Sequence, residues 1–332
     1  MKRGAIQKVC TITIGKQGAI LIITLWILAI LAILSIGIGG RMGLELKLTG
    51  FYRDNTAALY LAKAGIKRSI AVLQSEEHAV DSLNEKWSCN TEETDPLFKD
   101  IKVGDAGTFT VNYPFYDKRV FYGVQDEERR ININNAPKEV ISGLISYLDP
   151  ANANAGEIAA NIEDWRDADN TRPPPDGSPE PDYSEEGYER KDALFDSADE
   201  VLLVRGVDQG LFEKIKGYIT VYPIAASAKI NVNTASLPAL VALGFSEDDA
   251  NAIIARRAGE DGVEGTADDA PFDSNSFAVY LTKLAAPSAA VVSYGSQYFR
   301  VISTGYSSNG RARKTVTCVA SSVGEILFWN EE

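Results

Sequence analysis

GKQGAILIITLWILAILAILS, residues 15–35, decides the fold. A short basic stretch ending in Gly18 runs straight into an apolar segment, and from Ala19 to Gly39 no residue carries a charge. As a helix those residues extend roughly 31 Å, which matches the hydrocarbon thickness of a bilayer. Upstream, Lys2, Arg3, Lys8 and Lys16 stand without an acid, so the basic end is expected in the cytoplasm, with the rest of the chain across the membrane. The alternative is a cleavable secretory signal, whose apolar region is about 7 to 15 residues and ends in a small-residue A-x-A site. No such site closes this run. Cleavage at the other end, after Gly18, would strip the basic leader and leave the apolar helix as the new N-terminus.

Beyond the anchor, a chain of 332 residues that is 45% hydrophobic has enough material for one or two folded domains. The helical signal continues: Tyr52, Leu59, Ile66 and Leu73 recur at a seven-residue spacing with Leu48, Ala62 and Ile70 beside them. Arg53, Asp54, Lys63, Lys67 and Arg68 fall on other faces. The pattern predicts a helix from Ala19 to about Ser75, roughly 85 Å long, weakened at Gly37, Gly39, Gly40 and Gly43, where backbone entropy opposes helix.

Strand-like runs follow, GTFTVNY at 107–113 and RVFYGVQDEE at 119–128. Near the C-terminus YFRVISTGYS and ARKTVTCVASS flank Asn309 and Gly310, a hairpin-turn dipeptide because both residues tolerate positive φ. Between these distant pieces, residues 130–295 are mainly helical by pattern. The fold class is α+β: a long N-terminal helix packed on a small antiparallel sheet, interrupted by a large inserted helical domain. Inside the insertion an element recurs, RRININNAPKEVISGL at 129–144 and AKINVNTASLPALVAL at 228–243. Each passes from an extended I-N-x-N stretch into a helix, with Asn134 or Asn135, and Thr234 or Ser236, placed to cap it and Pro137 or Pro238 in its first turn.

The basic leader, the Gly18/Ala19 junction, the apolar helix and the C-terminal head resemble a type IV pilin-like subunit. The resemblance implies that a prepilin peptidase cuts after Gly18 and methylates the Ala19 amine. It also implies a glutamate at the fifth mature position, whose carboxylate neutralises a neighbour's amine inside the apolar filament core. Here that position is Ile23. An amine buried without a counter-charge costs on the order of several kcal/mol. A subunit with Ile23 can lend its amine to a neighbour's glutamate but offers no carboxylate in return, which suits a filament end. Among pilin-like families this absence marks the minor pseudopilin K family (GspK) of type II secretion systems, which caps the pseudopilus tip. An ordinary single-pass anchor, in which any apolar residue suits position 23, is the plainer alternative.

The ending GEILFWNEE also looks like the family's terminal strand, so the resemblance covers nearly the whole chain. It implies a leader at 1–18, a transmembrane part of the helix at 19–39, and the pilin-like helix with the first strands at 40–129. The inserted helical domain with its acidic loops is then 130–295, and the last strands of the pilin-like sheet are 296–332. The implied partners are the minor pseudopilins I and J, prepilin peptidase and the bacterial inner membrane. The chain would be single-pass, with a cytoplasmic N-terminus and a periplasmic head.

ADEVLLVRGVDQGLFEKIKGYI at 198–219 and LVALGFSEDDANAIIARRAG at 240–259 resemble helix-hairpin-helix units, which often grip phosphates through backbone amides. The rival reading is therefore a membrane-tethered DNA-uptake receptor resembling ComEA. Where such hairpins carry a second glycine, this chain has Asp208 and Ser246, the latter followed by Glu247, Asp248 and Asp249. The net charge is −13, and removing the leader's four positive residues makes it −17. That opposes the electrostatic attraction on which nucleic-acid binding depends, and no nucleic-acid partner is expected.

Residues 163–200 contain 14 acids and four basic residues. Asp167 and Asp169 have a D-x-D spacing that suits a hard cation, and Gly177 permits a turn before Glu180 and Asp182. The order Asp167, Asp169, Gly177, Glu180, Asp182, Tyr183 resembles the calcium loop of the pseudopilin K family, although the three prolines at 173–175 and the spacer length depart from it. A second loop, GEDGVEGTADDAPFD at 259–273, places six acids and no base around three glycines. It looks like short D-G-x-x-G-T-x-D-D calcium loops, with Asp261, Asp268 and Asp269 as candidate ligands. A structural Ca2+ is thus the expected cofactor, against the alternative of solvated acidic turns. The one histidine, His78, sits at a polar helix end without companion ligands and reads as a surface residue, so zinc is not expected.

Cys10 leaves with the leader, and the mature chain keeps Cys89 and Cys318 on the oxidising side. A disulfide between them is expected on compartment grounds, with two separate thiols as the alternative. No Ser/His/Asp or Cys/His set and no phosphate-binding glycine loop is present. The loop carboxylates lack the apolar surroundings that would separate their pKa values, so an enzyme is not expected.

Overall fold

A computed structural model describes residues 16–88, 96–116, 119–168, 183, 187–224, 229–282 and 292–332. The chain divides into two units, Met1–Asp54 and Asn55–Glu332. Helix α1, Lys16–Leu73, is one 58-residue element with residues in both. It passes unbroken through Gly37, Gly39, Gly40 and Gly43, where the sequence predicts weakening. Each glycine costs only about 1 kcal/mol relative to alanine in a helix, too little to interrupt a hydrogen-bonded run of this length.

In the second unit α1 lies on an antiparallel sheet, and its buried face includes the later part of the seven-residue stripe read from the sequence, with Leu59 and Ile70 partly buried against the same core. Ala62, Ile66 and Leu73 are buried, but Tyr52 and Leu48 are exposed in the first unit. Small residues set the closest approach. Gly65 lies against Ser303 and Phe109, and Gly305 against the backbone of Ala58 and Ala62, so helix and sheet approach more closely than any side chain allows.

The sheet is built from β1 (Ile101–Val103), β2 (Gly107–Val111), β10 (Tyr298–Ser307), β11 (Arg313–Ser321) and β12 (Ile326–Glu331), in that spatial order. Strand β5 (Gln125–Asp126) also pairs with β10, at Phe299 and Arg300, beyond the stretch that pairs with β2. The hairpin expected around Asn309 and Gly310 joins β10 to β11, with Gly310 at φ 67°. Phe109, Val111, Val301, Val316 and Trp87 fill the space between sheet and helix. Residues 119–128, expected as one strand, form only the two-residue strands β4 (Val120–Phe121) and β5. Strand β4 pairs with β3 (Tyr113–Pro114) in a side hairpin.

The insertion is a duplication that extends well past the I-N-x-N motif. The first copy holds β6 (Ile131–Asn132), α2 (Lys138–Leu148), α3 (Ala155–Arg166), a 3-10 turn at Ala198–Leu203, α4 (Gln209–Ile215) and β7 (Ile219–Thr220). The second holds β8 (Ile230–Asn231), α5 (Leu237–Ala242), α6 (Glu247–Arg257), α7 (Ser274–Leu281) and β9 (Val292–Ser293). In each copy the first strand forms a short parallel bridge with the last, Ile131 opposite Ile219 and Ile230 opposite Val292. One shared apolar core, including Trp165, Phe195, Phe212, Phe245 and Phe272, unites both copies.

The asparagines hold this plan together. Asn134 donates to the carbonyls of Phe195 and Val221 and accepts from the Phe195 N–H. Asn233 does the same with Phe272 and Tyr294. Arg166 donates to the carbonyls of Ile133 and Ala136, and Arg257 to those of Val232 and Ala235. Capping is therefore a minor role. Ser236 caps α5, whereas Pro137 occupies the N-cap of α2, Asn134 ties distant chain and Thr234 turns to Asp126.

Candidate assembly site

The first unit presents an apolar rod. Every residue from Ala19 to Thr49 is exposed, and α1 is the one helix among the described residues long and apolar enough to cross a membrane, its most apolar 18-residue stretch having a mean hydropathy of 3.0. Unpacked apolar surface of this extent is stable only against lipid or against like helices. The Gly18–Ala19 bond lies in the first turn of α1, where amides have no intrahelical acceptors. An amine at that position would face the positive end of the helix dipole, which favours a carboxylate partner. Ile23 lies one turn on, 58% exposed, and the first acid along α1 is Glu45.

The second unit carries a polar seam where head meets insertion. The run Gln125–Arg130 leaves β5 for β6, and its three acids are buried. Glu127 accepts from Arg300 at 2.8 and 2.6 Å and from the Thr220 hydroxyl at 2.6 Å. Burial alone would raise its pKa, but the Arg300 and Arg130 guanidiniums outweigh it and hold the carboxyl at about 2. Asp126 accepts from the hydroxyls of Thr234 and Ser296 and from Asn231, and burial pushes it up to about 6. Burial, then the charge of Asp126, pushes Glu128 up to about 8.

His78, expected at the surface, is half-buried here. Its ring joins Asp81 Oδ1 at 2.7 Å and the Leu73 carbonyl at 2.9 Å, and its pKa is raised chiefly by the hydrogen bond to Asp81. The seam escaped the sequence reading because QDEE was assigned to an ordinary strand. Its signal was an acid triplet directly followed by two arginines.

The two acidic stretches occupy equivalent places in the duplication. Each begins after the clamping arginine, Arg166 or Arg257, and ends at the clamped phenylalanine of an A-x-F-D-S sequence, 193–197 and 270–274. Asp167 is the C-cap of α3, while Asp169, Gly177, Glu180 and Asp182 lie outside the described residues. Tyr183 is buried beside Trp165, its hydroxyl accepting from the Arg205 N–H at 3.2 Å.

In the second stretch Asp268 accepts from the N–H groups of Glu260 and Asp261 and from the Thr266 hydroxyl. Those bonds, the hydroxyl's first, draw it down to about 2. Asp269 accepts from Gly265 and Thr266, and Asp261 from Val263. Among the described residues no three metal-ligating groups gather. Cys318 is buried in β11, where burial pushes the thiol up to about 12, and Cys89 lies outside the described residues.

In each hairpin-like stretch a side chain already occupies a helix N-terminal amide that phosphate would need. Asp208 accepts from the Leu211 N–H at the start of α4 at 2.7 Å, and Ser246 caps α6 ahead of three acids. They are not copies of each other either: α5 and α6 correspond to α2 and α3, whereas the 3-10 turn and α4 fall at the place of α7. Of the 46 acids 28 lie in residues 130–295, with only 13 of the 33 lysines and arginines, which concentrates negative charge on the insertion.

An exposed apolar helix, its far end seated on an antiparallel sheet that a helical insertion interrupts, defines a pilin-like subunit. Residues 123–224 match the family model for protein K of the type II secretion system. The chain is similar to type II secretion system protein K of Pseudomonas aeruginosa PAO1, 24% identical over 311 residues, covering 87% of this chain and 84% of that one. Its fold matches a chain in the crystal structure of the GspK–GspI–GspJ complex from the type 2 secretion system of enterotoxigenic Escherichia coli. The TM-score is 0.58 at 17% identity, over 88% of this chain and 99% of that one. Within residues 123–224 the chain thus matches the type II secretion protein K family, and the comparisons together support a minor pseudopilin of type II secretion. A DNA-uptake receptor is not supported.

Proposed function

We propose that this minor pseudopilin forms the end of the pseudopilus, together with subunits equivalent to I and J, and is held in the inner membrane beforehand with its head in the periplasm. The supporting observation is the unpartnered apolar helix that carries no acid before Glu45. Prepilin peptidase cleaves after Gly18 and methylates Ala19. The freed amine then pairs with a glutamate of the subunit beneath, and Ile23 leaves no carboxylate for a subunit above. The acid-rich insertion is too bulky for another subunit to stack on it. Its activity is assembly and not catalysis.

The test is intact mass spectrometry of the membrane-extracted chain, followed by co-purification with tagged I-type and J-type subunits. A methylated N-terminus at Ala19 and a stable ternary complex are expected. An intact leader, cleavage near residue 35, or a chain that purifies alone would overturn the reading.

Calcium belongs to the same proposal, as a structural ion in the first acidic stretch. Asp167, Asp169, Glu180 and Asp182 offer the oxygen ligands that a hard cation takes. In the second stretch Asp261, Asp268 and Asp269 already serve backbone amides, so any ion there must displace those bonds. Chelation should lower the melting temperature, because a ligand bound only by the folded state stabilises it. An unchanged melting temperature after chelation would reduce both stretches to solvated turns.

A further inference from the structure

Three segments converge at the seam: the stretch after α1 with His78, Asp81 and Glu85, the β5–β6 run, and residues 294–297 before β10. Asp81 is fully buried, its Oδ2 accepting from the Ser296 N–H at 2.7 Å. Asn231 stitches the segments together, donating to the Asp81 carbonyl, to Asp126 Oδ2 and to Ser296 Oγ. Its own N–H donates to the Glu128 carbonyl at 3.0 Å. Glu128 Oε1 accepts from the Gln297 N–H at 2.9 Å.

Asp81, Asp126 and Glu128 are thus buried together, and among the described residues the one basic side chain bonded to any of them is His78. Among the described residues no lysine or arginine pairs with any of the three. Arg300 and Arg130 face Glu127, and Arg129 lies over the Tyr116 ring at 4.0 Å, its guanidinium nitrogens buried and without a hydrogen bond to these acids. The remaining neighbour, Glu85, is another acid, bound by Trp87 Nε1 and the Ser82 N–H. Three buried carboxylates against one imidazole cannot all be ionised without strong repulsion. A protonated Glu128 removes one of those charges and leaves the Gln297 bond in place.

We propose that this seam is a proton-dependent latch: Glu128 holds a proton while the insertion is seated on the pilin-like head, and loss of that proton loosens the seam. The raised pKa of Glu128, with that of His78 in the same direction, fixes the sense of the effect. Seam stability attributable to Glu128 is full below the usual carboxylate range and is lost as pH rises through about 8. A pseudopilin head exposed to an alkaline medium would therefore hold its insertion less firmly than one in a neutral or acid medium.

The test is amide hydrogen exchange on the full-length chain in detergent micelles at pH 6.5 and pH 9, corrected for intrinsic exchange. The Asn231 and Gln297 amides should lose at least about tenfold in protection between the two conditions, the equivalent of one pK unit. The amides of the β10–β11 ladder distant from the seam, such as Thr317, should not. Glu128→Gln, which keeps the Gln297 bond without a titrating group, should abolish that loss. Equal protection of the wild-type seam at both pH values, or an undiminished loss in Glu128→Gln, overturns the latch. Should Glu128→Gln fail to fold, infrared titration of the wild-type chain decides: a protonated-carboxyl band that disappears near pH 8 supports the latch, and its absence at pH 7 refutes it.

Discussion

Gly305→Ala drives a methyl group into the closest approach of the pilin-like head. A Cβ at position 305 would stand 2.0 Å from the Ala58 carbonyl oxygen, 2.5 Å from the Ala62 nitrogen and 2.9 Å from Leu61 Cβ. Two of those atoms are helix backbone and cannot rotate away. Restoring even a 3.0 Å separation from Ala58 requires helix and strand to part by about 1 Å. A gap of that size forfeits up to about half the dispersion energy of each contact it opens, and overpacking of this kind typically costs about 1–3 kcal/mol.

Because the obstacle is backbone, the loss should fall at the upper end, about 3 kcal/mol, which for a large domain lowers the melting temperature by about 6 °C. Tryptophan fluorescence suits the measurement, since Trp87 is buried in the same core against Phe299. Gly40→Ala is the control, with nothing within 4 Å of its added carbon and no expected loss. A Gly305→Ala protein melting within about 1 °C of the wild type would refute the close seating of α1 on the sheet.

Arg300→Met should leave Glu127 buried without its closest partner and cost about 3–5 kcal/mol at pH 7 in denaturant unfolding. Because the native pKa of Glu127 lies at about 2, below the unfolded value, its stabilisation is present above about pH 4.5 and fades as pH falls toward 2. The variant should lose much of that acid-side slope; an unchanged slope between pH 5 and pH 3 would contradict the pairing. Arg257→Met removes the donors to two carbonyls, those of Val232 and Ala235, and takes the guanidinium from Glu264. It should lose about 2–4 kcal/mol and become susceptible to proteolysis within 258–271, whereas wild-type cleavage rates there would contradict a clamp.

Periodicity and turn chemistry carried much of this fold. The uncharged run and its helical continuation gave α1, and the Asn309–Gly310 turn gave the β10–β11 hairpin with its strands nearly in place. The face by which α1 packs was legible in Ile66 and Leu73, which are buried, but its closeness was not, because seven-residue spacing rewards large apolar residues while the tightest approach rests on Ala58, Ala62, Gly65 and Gly305. The I-N-x-N repeat revealed two copies but not their extent. The matching A-x-F-D-S sequences stand at unequal distances from it, since the acidic stretch between them differs in length. Residues 125–130 misled for a different reason: charge ordinarily marks surface, and only the fold shows three acids sealed in with Arg300, Asn231 and Ser296.

The end position of this subunit is tested most directly by labelling the unaltered chain in assembled pseudopili and mapping it along each filament. One label per filament, at its end, is the expected result for a subunit that gives an amine and returns no carboxylate. Labels distributed along the shaft would contradict it.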